Sequence, residues 1–285
     1  MTTQRVLSTY LFVNRKLTAA LVGEAARAGV SAIELFCSRG HFDYRSGEEA
    51  HELAAWLAGN NLTLHSIHAP TTRDFHLTRE SGAPLSICDP ERVRRQEAVD
   101  EIKRALDLVE HIPFRYCIQH VASSRDIPDE RRWDAAFSSL EHLSLFARHR
   151  GVTFAIENTP GEMATPVNLK NFLEQTRLTG VKICFDAGHA HLDGGVPEAL
   201  EIVRDFVATT HLHDNRGIRD EHLLPYEGSI DWSGVLAALP QEAPMVLELK
   251  EPAAAAGSVE VQAFAETLRG VRGVFEKFEE EGAQT

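Results

Sequence analysis

The stretches VTFAIEN at Val152–Asn158 and VKICFD at Val181–Asp186 decide the fold, together with the helix-like segment that separates them. Each stretch is short, rich in β-branched and aromatic residues, and alternating, which is typical of a strand. In the first stretch, Phe154 and Ile156 fall on one face and Glu157 on the other. The order strand, helix, strand is typical of a parallel sheet that is covered by its connecting helices.

The same alternation of strand-like and helix-like runs extends over the whole chain. The strand-like runs are Val6–Val13, Ala32–Phe36, Leu62–His68, Tyr116–Val121, Val152–Asn158, Val181–Asp186, Val207–His213 and Met245–Leu249. Helix-like runs follow them, among them Leu17–Ala28, Glu48–Ala58, Glu91–Glu110, Arg131–Arg150 and Val259–Glu280. Eight strands alternating with eight helices predict an α/β fold, a single (β/α)8 TIM barrel over residues 1–285 with its site at the C-terminal mouth.

A doubly wound open sheet is the alternative fold for such an alternation. Folds of that type carry a Gly-rich phosphate-binding turn after the first strand. This chain has Asn14, Arg15 and Lys16 at that point. The barrel is therefore the favoured prediction.

Composition and charge limit the cellular compartments and the classes of partner that are expected for this chain. The chain has 285 residues, of which 43% are hydrophobic and 25% charged, as is usual for a globular protein. A net charge of −13 provides no general attraction to nucleic-acid backbones, which disfavours such partners without excluding them. The four cysteines form no CxxC pair, no apolar run approaches a membrane span, and the N-terminus lacks a signal-peptide pattern. We therefore expect a cytoplasmic protein with reduced thiols.

The ends of the predicted strands carry metal-binding residue types. In a barrel, alternate strand residues point inward, and the last inward residue faces the catalytic mouth. Six consecutive strands, the third to the eighth, end in this way, at His68, His120, Glu157, Asp186, His211 and Glu248. Carboxylates with imidazoles and no thiolate suit Mn, Co, Mg or Zn, and a larger share of imidazole favours Zn or Co.

The segment TTHLHDNRGIRDEHLLPYEGSIDW, Thr209–Trp232, adds further imidazoles and carboxylates, notably Asp220 and His222. Burying such a loop is costly unless a positive charge lies between the groups, and a divalent metal is the simplest such charge. A solvated polar loop is the alternative. His213 in this segment is expected to play a supporting or structural role rather than to bind the metal directly.

Three residues outside the strand ends are candidates for substrate contacts. His189 follows Asp186 by three residues, so it can bind either the metal or the substrate. Arg216 is a candidate for holding a substrate phosphate. Glu34 points into the barrel by alternation with its neighbours, where it can line the pocket or anchor a buried hydrogen-bond network. The sequence leaves these two roles open.

The motifs IENTPG, CFDAGHAHL and HLHDN, followed by DEHLLPYEGSIDW, resemble the xylose-isomerase-like barrel superfamily over nearly the whole chain. That superfamily includes sugar isomerases and epimerases, and also the endonuclease IV group of abasic-site nucleases. The resemblance implies a metal-dependent active site at the barrel mouth, with one to three ions of zinc, manganese or cobalt per chain. It thus leaves two classes of reaction open.

Each reaction class implies its own set of ligands. An epimerase-type site with one metal would use Glu157, Asp186, His211 and Glu248, and its two glutamates would exchange protons with the carbons of a small sugar or polyol. An endonuclease-type site with three zinc ions would use His68, His120, Glu157, Asp186, His189, His211, Asp220, His222 and Glu248. After the second strand, CSRGHFDYRSG lacks the expected DNA-inserting loop, which favours the isomerase. A non-catalytic barrel that binds a ligand is the third hypothesis.

Overall fold

The computed structural model describes residues 4–73, 84–251 and 260–282. Eight parallel strands form one sheet in the order β7-β6-β5-β4-β3-β2-β1-β8. The strands are β1 (Arg5–Ser8), β2 (Ala32–Phe36), β3 (Thr63–His68), β4 (Tyr116–His120), β5 (Thr153–Glu157), β6 (Val181–Asp186), β7 (Val207–His211) and β8 (Met245–Leu247).

The sheet closes on itself between β7 and β8. The N–H of Leu212 donates to the carbonyl of Val246 at 2.8 Å, and the N–H of Glu248 donates to the carbonyl of Leu212 at 3.4 Å. Leu212 and Leu247 form a parallel bridge there. This closure confirms the predicted TIM barrel and excludes the doubly wound open sheet.

The helices surround the barrel. They are α1 (Ala19–Arg27), α2 (Gly47–Gly59), α3 (Arg92–Leu106), α4 (Glu130–Arg148), α5 (Pro166–Thr176), α6 (Ala187–Leu192), α7 (Val196–Val203), α8 (Trp232–Ala238) and α9 (Glu260–Gly282). Within the described ranges there are nine α-helices rather than the predicted eight, because β6 is followed by the short α6 as well as by α7. None of the described helices combines the length and apolarity needed to cross a membrane.

The prediction of one strand over Val6–Val13 is wrong beyond Ser8. The hydroxyl of Ser8 accepts a hydrogen bond from the N–H of Tyr10, and the chain turns into a short 3-10 helix. The hydroxyl of Thr9 then accepts the N–H of Phe36 at 2.9 Å. Side-chain hydroxyls compete with a strand ladder in this way.

The predicted helix Glu91–Glu110 also differs from the structure at its end. A 3-10 turn replaces the last predicted α-helical turn, after Leu106.

Two layers of side chains confirm the predicted alternation in β5. Phe154 and Ile156 belong to the core between the barrel and its helices. Ala155 instead packs inside the barrel with Cys184 and Ile118. Inward and outward residues thus alternate as pleating requires, and the alternation places the end of β5 at the mouth.

The loop between β7 and α8 is folded around the carboxylate of Asp214. This fully buried side chain accepts the backbone N–H of Tyr226 at 2.9 Å, that of Ile230 at 3.2 Å and the indole N–H of Trp232 at 2.9 Å. Gly228 passes so close that an added Cβ would lie 2.2 Å from the carboxylate. Buried hydrogen bonds to a charged group are strong, so the loop has one fixed course over the mouth.

Candidate metal centre

Four consecutive strand ends meet at one buried point. Glu157, Asp186, His211 and Glu248 each bring one ligand atom to within 4.8 Å of the others. His211 Nδ1 lies 3.2 Å from Glu157 Oε1 and 3.9 Å from a carboxylate oxygen of both Asp186 and Glu248. None of these four residues is more than 3% exposed. We call them the strand-end group.

Two further groups adjoin the strand-end group. In the first, the Nε2 atoms of His68 and His120 both lie 3.2 Å from Glu157 Oε2. The second consists of His189, His213, Asp220 and His222, whose ligand atoms also lie within 4.8 Å of one another. The structure therefore brings all nine residues of the endonuclease-type set together around the mouth, although the sequence spreads them over β3 to β8 and the loop after β7.

The imidazole rings are oriented by hydrogen bonds that leave one nitrogen facing the mouth. The Nδ1–H groups donate to backbone carbonyls: His68 to Ala69 at 2.9 Å, His189 to Asn158 at 2.9 Å, and His222 to Glu248 at 2.8 Å. In a neutral ring the other nitrogen, Nε2, then carries a lone pair. Histidines that bind metals in proteins are held by this kind of second hydrogen bond.

The donor set of the strand-end group fits a divalent cation. Glu157 Oε1 and His211 Nδ1 are buried, and within the described residues neither has a hydrogen-bond partner. Leaving such atoms unpaired costs free energy, whereas a cation between them would engage both. Three carboxylate oxygens and one imidazole nitrogen suit Mn, Co, Mg or Zn.

The pKa values of these groups reflect strong mutual attraction. Burial acts to raise the pKa of Glu157, but the charges of His211 and His120 hold it well below its usual value. Burial acts to lower the pKa of His211, but Cys184, Glu34 and Glu157 beside it raise it well above its usual value. Positive charge is therefore favoured at this point, whether it comes from protons or from a cation.

Two residues contribute more to the site than the sequence indicated. His213 was expected to be secondary, yet its Nε2 lies 3.2 Å from Asp186, and its ring stacks on His222 at 3.9 Å. The sequence alone does not indicate a role for Asn158. Its side chain donates to the Asp186 carbonyl and accepts the Asp186 N–H, both at 2.8 Å. For His213, the sequence did contain a signal: its spacing from His211 in HLHDN puts both side chains on one strand face.

Arg216 and Glu34 lie away from the strand-end group's open side. Arg216 is exposed and forms an ion pair with Glu221 at 2.8 Å, beside a neighbouring groove. Glu34 has no exposed surface and is hydrogen bonded to Ser66 and to His211. Of the two roles that the sequence left open for Glu34, these contacts correspond to the buried hydrogen-bond network.

A cavity of about 540 Å³ opens over the site. The metal-binding candidates His120, Asp220 and Glu248 line it, together with the apolar residues Pro160 and Leu192. A cavity of this size accommodates a small molecule. Its position at the carboxyl ends of the strands is where TIM barrels carry out their chemistry.

Comparison with known sequences places most of the chain in one family. The sequence model of the xylose isomerase-like TIM barrel family matches residues 22–268. The uncharacterised protein y4fM of Sinorhizobium fredii is 29% identical over 204 residues, which cover 64% of each protein, less than two thirds of that relative's length. The uncharacterised protein MJ1614 of Methanocaldococcus jannaschii is 27% identical over 229 residues, with 79% of this chain and 82% of that protein covered.

Solved structures share the fold at low sequence identity. A D-tagatose 3-epimerase-like protein superposes with a TM-score of 0.76 at 20% identity, covering 98% of both chains. D-psicose 3-epimerase from Clostridium cellulolyticum H10, solved with D-tagatose, gives a TM-score of 0.76 at 14% identity, covering 98% of this chain and 99% of that one. The IOLI protein with a bound zinc atom gives 0.72 at 13% identity, with 99% of each chain covered.

Replacing Glu157 by Gln should remove most of the tightly bound metal. The substitution keeps the side-chain shape but deletes the negative charge that the strand-end group shares with His68 and His120. Metal per chain, measured by elemental analysis after dialysis, checks this. Glu174→Gln, on the exposed face of α5, is the control and should retain the wild-type content. Full metal content in Glu157→Gln would show that the strand ends are not the site.

The substitution His222→Ala distinguishes a site with one metal ion from a site with three. His222 lies outside the strand-end group, so a single ion held there should remain bound. If three ions are bound, the same substitution should lower the count by about one, and Glu157→Gln should lower it by more, because Glu157 belongs to two of the candidate groups. The same elemental analysis on the two variants distinguishes these cases.

The stability of the metal-free protein should fall as pH rises. His189 and His211 have pKa values well above 6.5 in the folded state, so their contribution is complete below 6.5 and is lost as pH rises through the raised values. The carboxylates with lowered pKa are ionised throughout this window. Thermal unfolding between about pH 7 and about pH 9 tests this, because His41, His65 and His222, whose pKa values are lowered, affect stability mainly at lower pH. Metal affinity should rise over the same range, because ions compete with protons. A metal-free midpoint that increases with pH would contradict these signs.

Proposed function

The chain belongs to the xylose isomerase-like TIM barrel family, and from this premise we propose that it is a metal-dependent isomerase or epimerase of a small sugar or sugar derivative. The observation that carries the proposal is the strand-end group. It combines a donor set suited to a divalent cation with two glutamates, Glu157 and Glu248, at a single buried point. The epimerases among the structural neighbours share the fold and are consistent with this choice.

Glu157, Asp186, His211 and Glu248 would hold the ion. A bound divalent cation would polarise a carbonyl or hydroxyl oxygen of the substrate and acidify the adjoining C–H bond. We assign proton transfer to the two glutamates: one carboxylate takes the proton from the carbon, and the other returns a proton to the opposite face. Inversion at that carbon requires such a pair, because a single base would return the proton to the face from which it came.

The surroundings of the two glutamates differ. Glu157 is fully buried and is contacted by several histidines, among them His68 and His120. Glu248 lines the cavity, where it can meet a substrate. His189 and Asp220 line the same cavity, and in this proposal they would bind substrate hydroxyl groups.

The proposal extends to the partner and the compartment. A cavity of about 540 Å³ and a net charge of −13 suit a small, uncharged sugar or polyol better than a nucleic acid. A role in carbohydrate metabolism follows from such a substrate. Four buried free cysteines are consistent with a reducing, cytoplasmic location.

Solvent deuterium should enter the substrate if the two glutamates exchange protons with carbon. The metal-loaded protein would be incubated in deuterated water with a panel of ketoses and polyol derivatives, and carbon-bound deuterium measured by NMR. We expect incorporation at one carbon together with inversion or isomerisation there. Glu248→Gln should lose it, while Glu174→Gln on α5 should keep it. Wild-type protein that retains metal but incorporates no deuterium across the panel would refute the proposal and favour a non-catalytic binding barrel.

A multi-zinc phosphodiesterase acting on abasic-site DNA is the second candidate. The specific observation in its favour is that two further groups of possible ligands adjoin the strand-end group. Such an arrangement suits the activation of a water molecule and the stabilisation of a leaving alkoxide. Cleavage of an abasic-site duplex well above a metal-only control would establish it, whereas the absence of cleavage with zinc, manganese and cobalt would eliminate it.

A further inference from the structure

Glu34 is a buried carboxylate that the proposed proton transfers do not use. It lies in the middle of β2, paired in register with Ser8 of β1 and Ser66 of β3. Its relative exposure is 0%. Burying an ionised carboxylate is expensive unless other groups compensate it. Its neighbours therefore indicate why it is tolerated inside the barrel.

Two side chains bind the Glu34 carboxylate. The hydroxyl of Ser66 donates to Oε2 at 2.7 Å. His211 Nε2 lies 3.2 Å from Oε2 and 3.1 Å from Oε1. Because Ser66 belongs to the neighbouring strand, it fixes the carboxylate from the side and leaves it facing the His211 ring. Glu34 is thus held beneath a member of the strand-end group.

The contact between Glu34 and His211 determines which ring nitrogen carries the hydrogen. A carboxylate only accepts, so Nε2 of His211 must be the donor. In the neutral ring, Nδ1 then carries the lone pair, and Nδ1 is the atom that lies 3.2 Å from Glu157 Oε1. The opposite tautomer would present an N–H to the ion and a lone pair to Glu34, which is unfavourable at both ends.

His211 differs in this respect from the other oriented histidines. His68, His189 and His222 donate to backbone carbonyls, whereas His211 donates to a side-chain carboxylate. A carboxylate is a stronger acceptor than a carbonyl because it is charged. It therefore increases the basicity of the ring nitrogen that faces the metal more than a carbonyl does.

We propose that Glu34, held by Ser66, is a positioning residue that selects the Nε2–H tautomer of His211 and directs its Nδ1 lone pair at the bound metal. This inference rests on the proposed function in so far as it requires a metal at the strand-end group. The choice of tautomer extends to the metal-free protein, because Nε2 is in hydrogen-bond geometry with Glu34, whereas Nδ1, although 3.2 Å from Glu157 Oε1, has no hydrogen-bond partner among the described residues.

The tautomer can be measured directly by nitrogen NMR of the imidazole rings in metal-free protein, at a pH high enough for His211 to be neutral. We expect Nε2–H in the wild type. Glu34→Gln keeps the shape but can offer an amide N–H to Nε2, so the population should shift towards Nδ1–H. An Nδ1–H wild-type ring would overturn the proposal, as would a Glu34→Gln ring that remains entirely Nε2–H.

Metal affinity provides the second readout. We expect Glu34→Gln to weaken zinc or manganese binding by about 10- to 100-fold in competition with a chelator, as is usual when the outer partner of a ligating histidine is lost. Glu101→Gln is the matched control. Glu101 is also a buried glutamate, but it lies on α3, where it pairs with Arg45 and accepts from Tyr44. Its substitution should lower the unfolding midpoint without changing the affinity.

The two measurements separate the possible failures. Wild-type protein that binds no metal would refute the proposed function, while the NMR result would still decide the tautomer that Glu34 selects. Unchanged affinity in Glu34→Gln would overturn the positioning role. Equal losses of affinity in Glu34→Gln and Glu101→Gln would do the same, because the effect would then be a general consequence of destabilisation.

Discussion

Like charges buried side by side constrain the whole mouth of this barrel. Glu157, Asp186 and Glu248 converge on one point that is shielded from water, and their mutual repulsion there is only weakly screened. Such an arrangement persists only if positive charge is supplied between the carboxylates. The raised pKa values of His189 and His211 favour protonated rings as the source of that charge when no metal is bound. The ring nitrogens that face the mouth suit a divalent cation.

The topology of the barrel itself brings these groups together. Parallel strands end at the same edge, so one inward residue at each end is enough to build a ring of ligands, and rigid strands fix their geometry. The part of the site that lies on a loop needs separate support. Asp214 provides it by binding the backbone and indole donors of the segment that carries Asp220 and His222.

Much of this arrangement can be predicted from the periodicity of polar and apolar residues in the sequence. The alternation in β5 predicted both the core role of Phe154 and the inward direction of Glu157, because a strand leaves no other choice. Local hydrogen bonds are not visible to periodicity, so the turn after Ser8 was predicted as strand. Contacts between distant strands are equally hidden. The role of Glu34 depends on His211, which lies far away in the sequence, and alternation alone could give only its inward direction.

The location of the ion is the central claim, and diffraction from crystals soaked with manganese tests it most directly. Anomalous differences collected near the manganese edge locate the metal without reference to activity. We predict a strong peak within coordination distance of His211 Nδ1 and of carboxylate oxygens from Glu157, Asp186 and Glu248. Anomalous peaks confined to surface carboxylates, with the mouth of the barrel empty, would contradict the account.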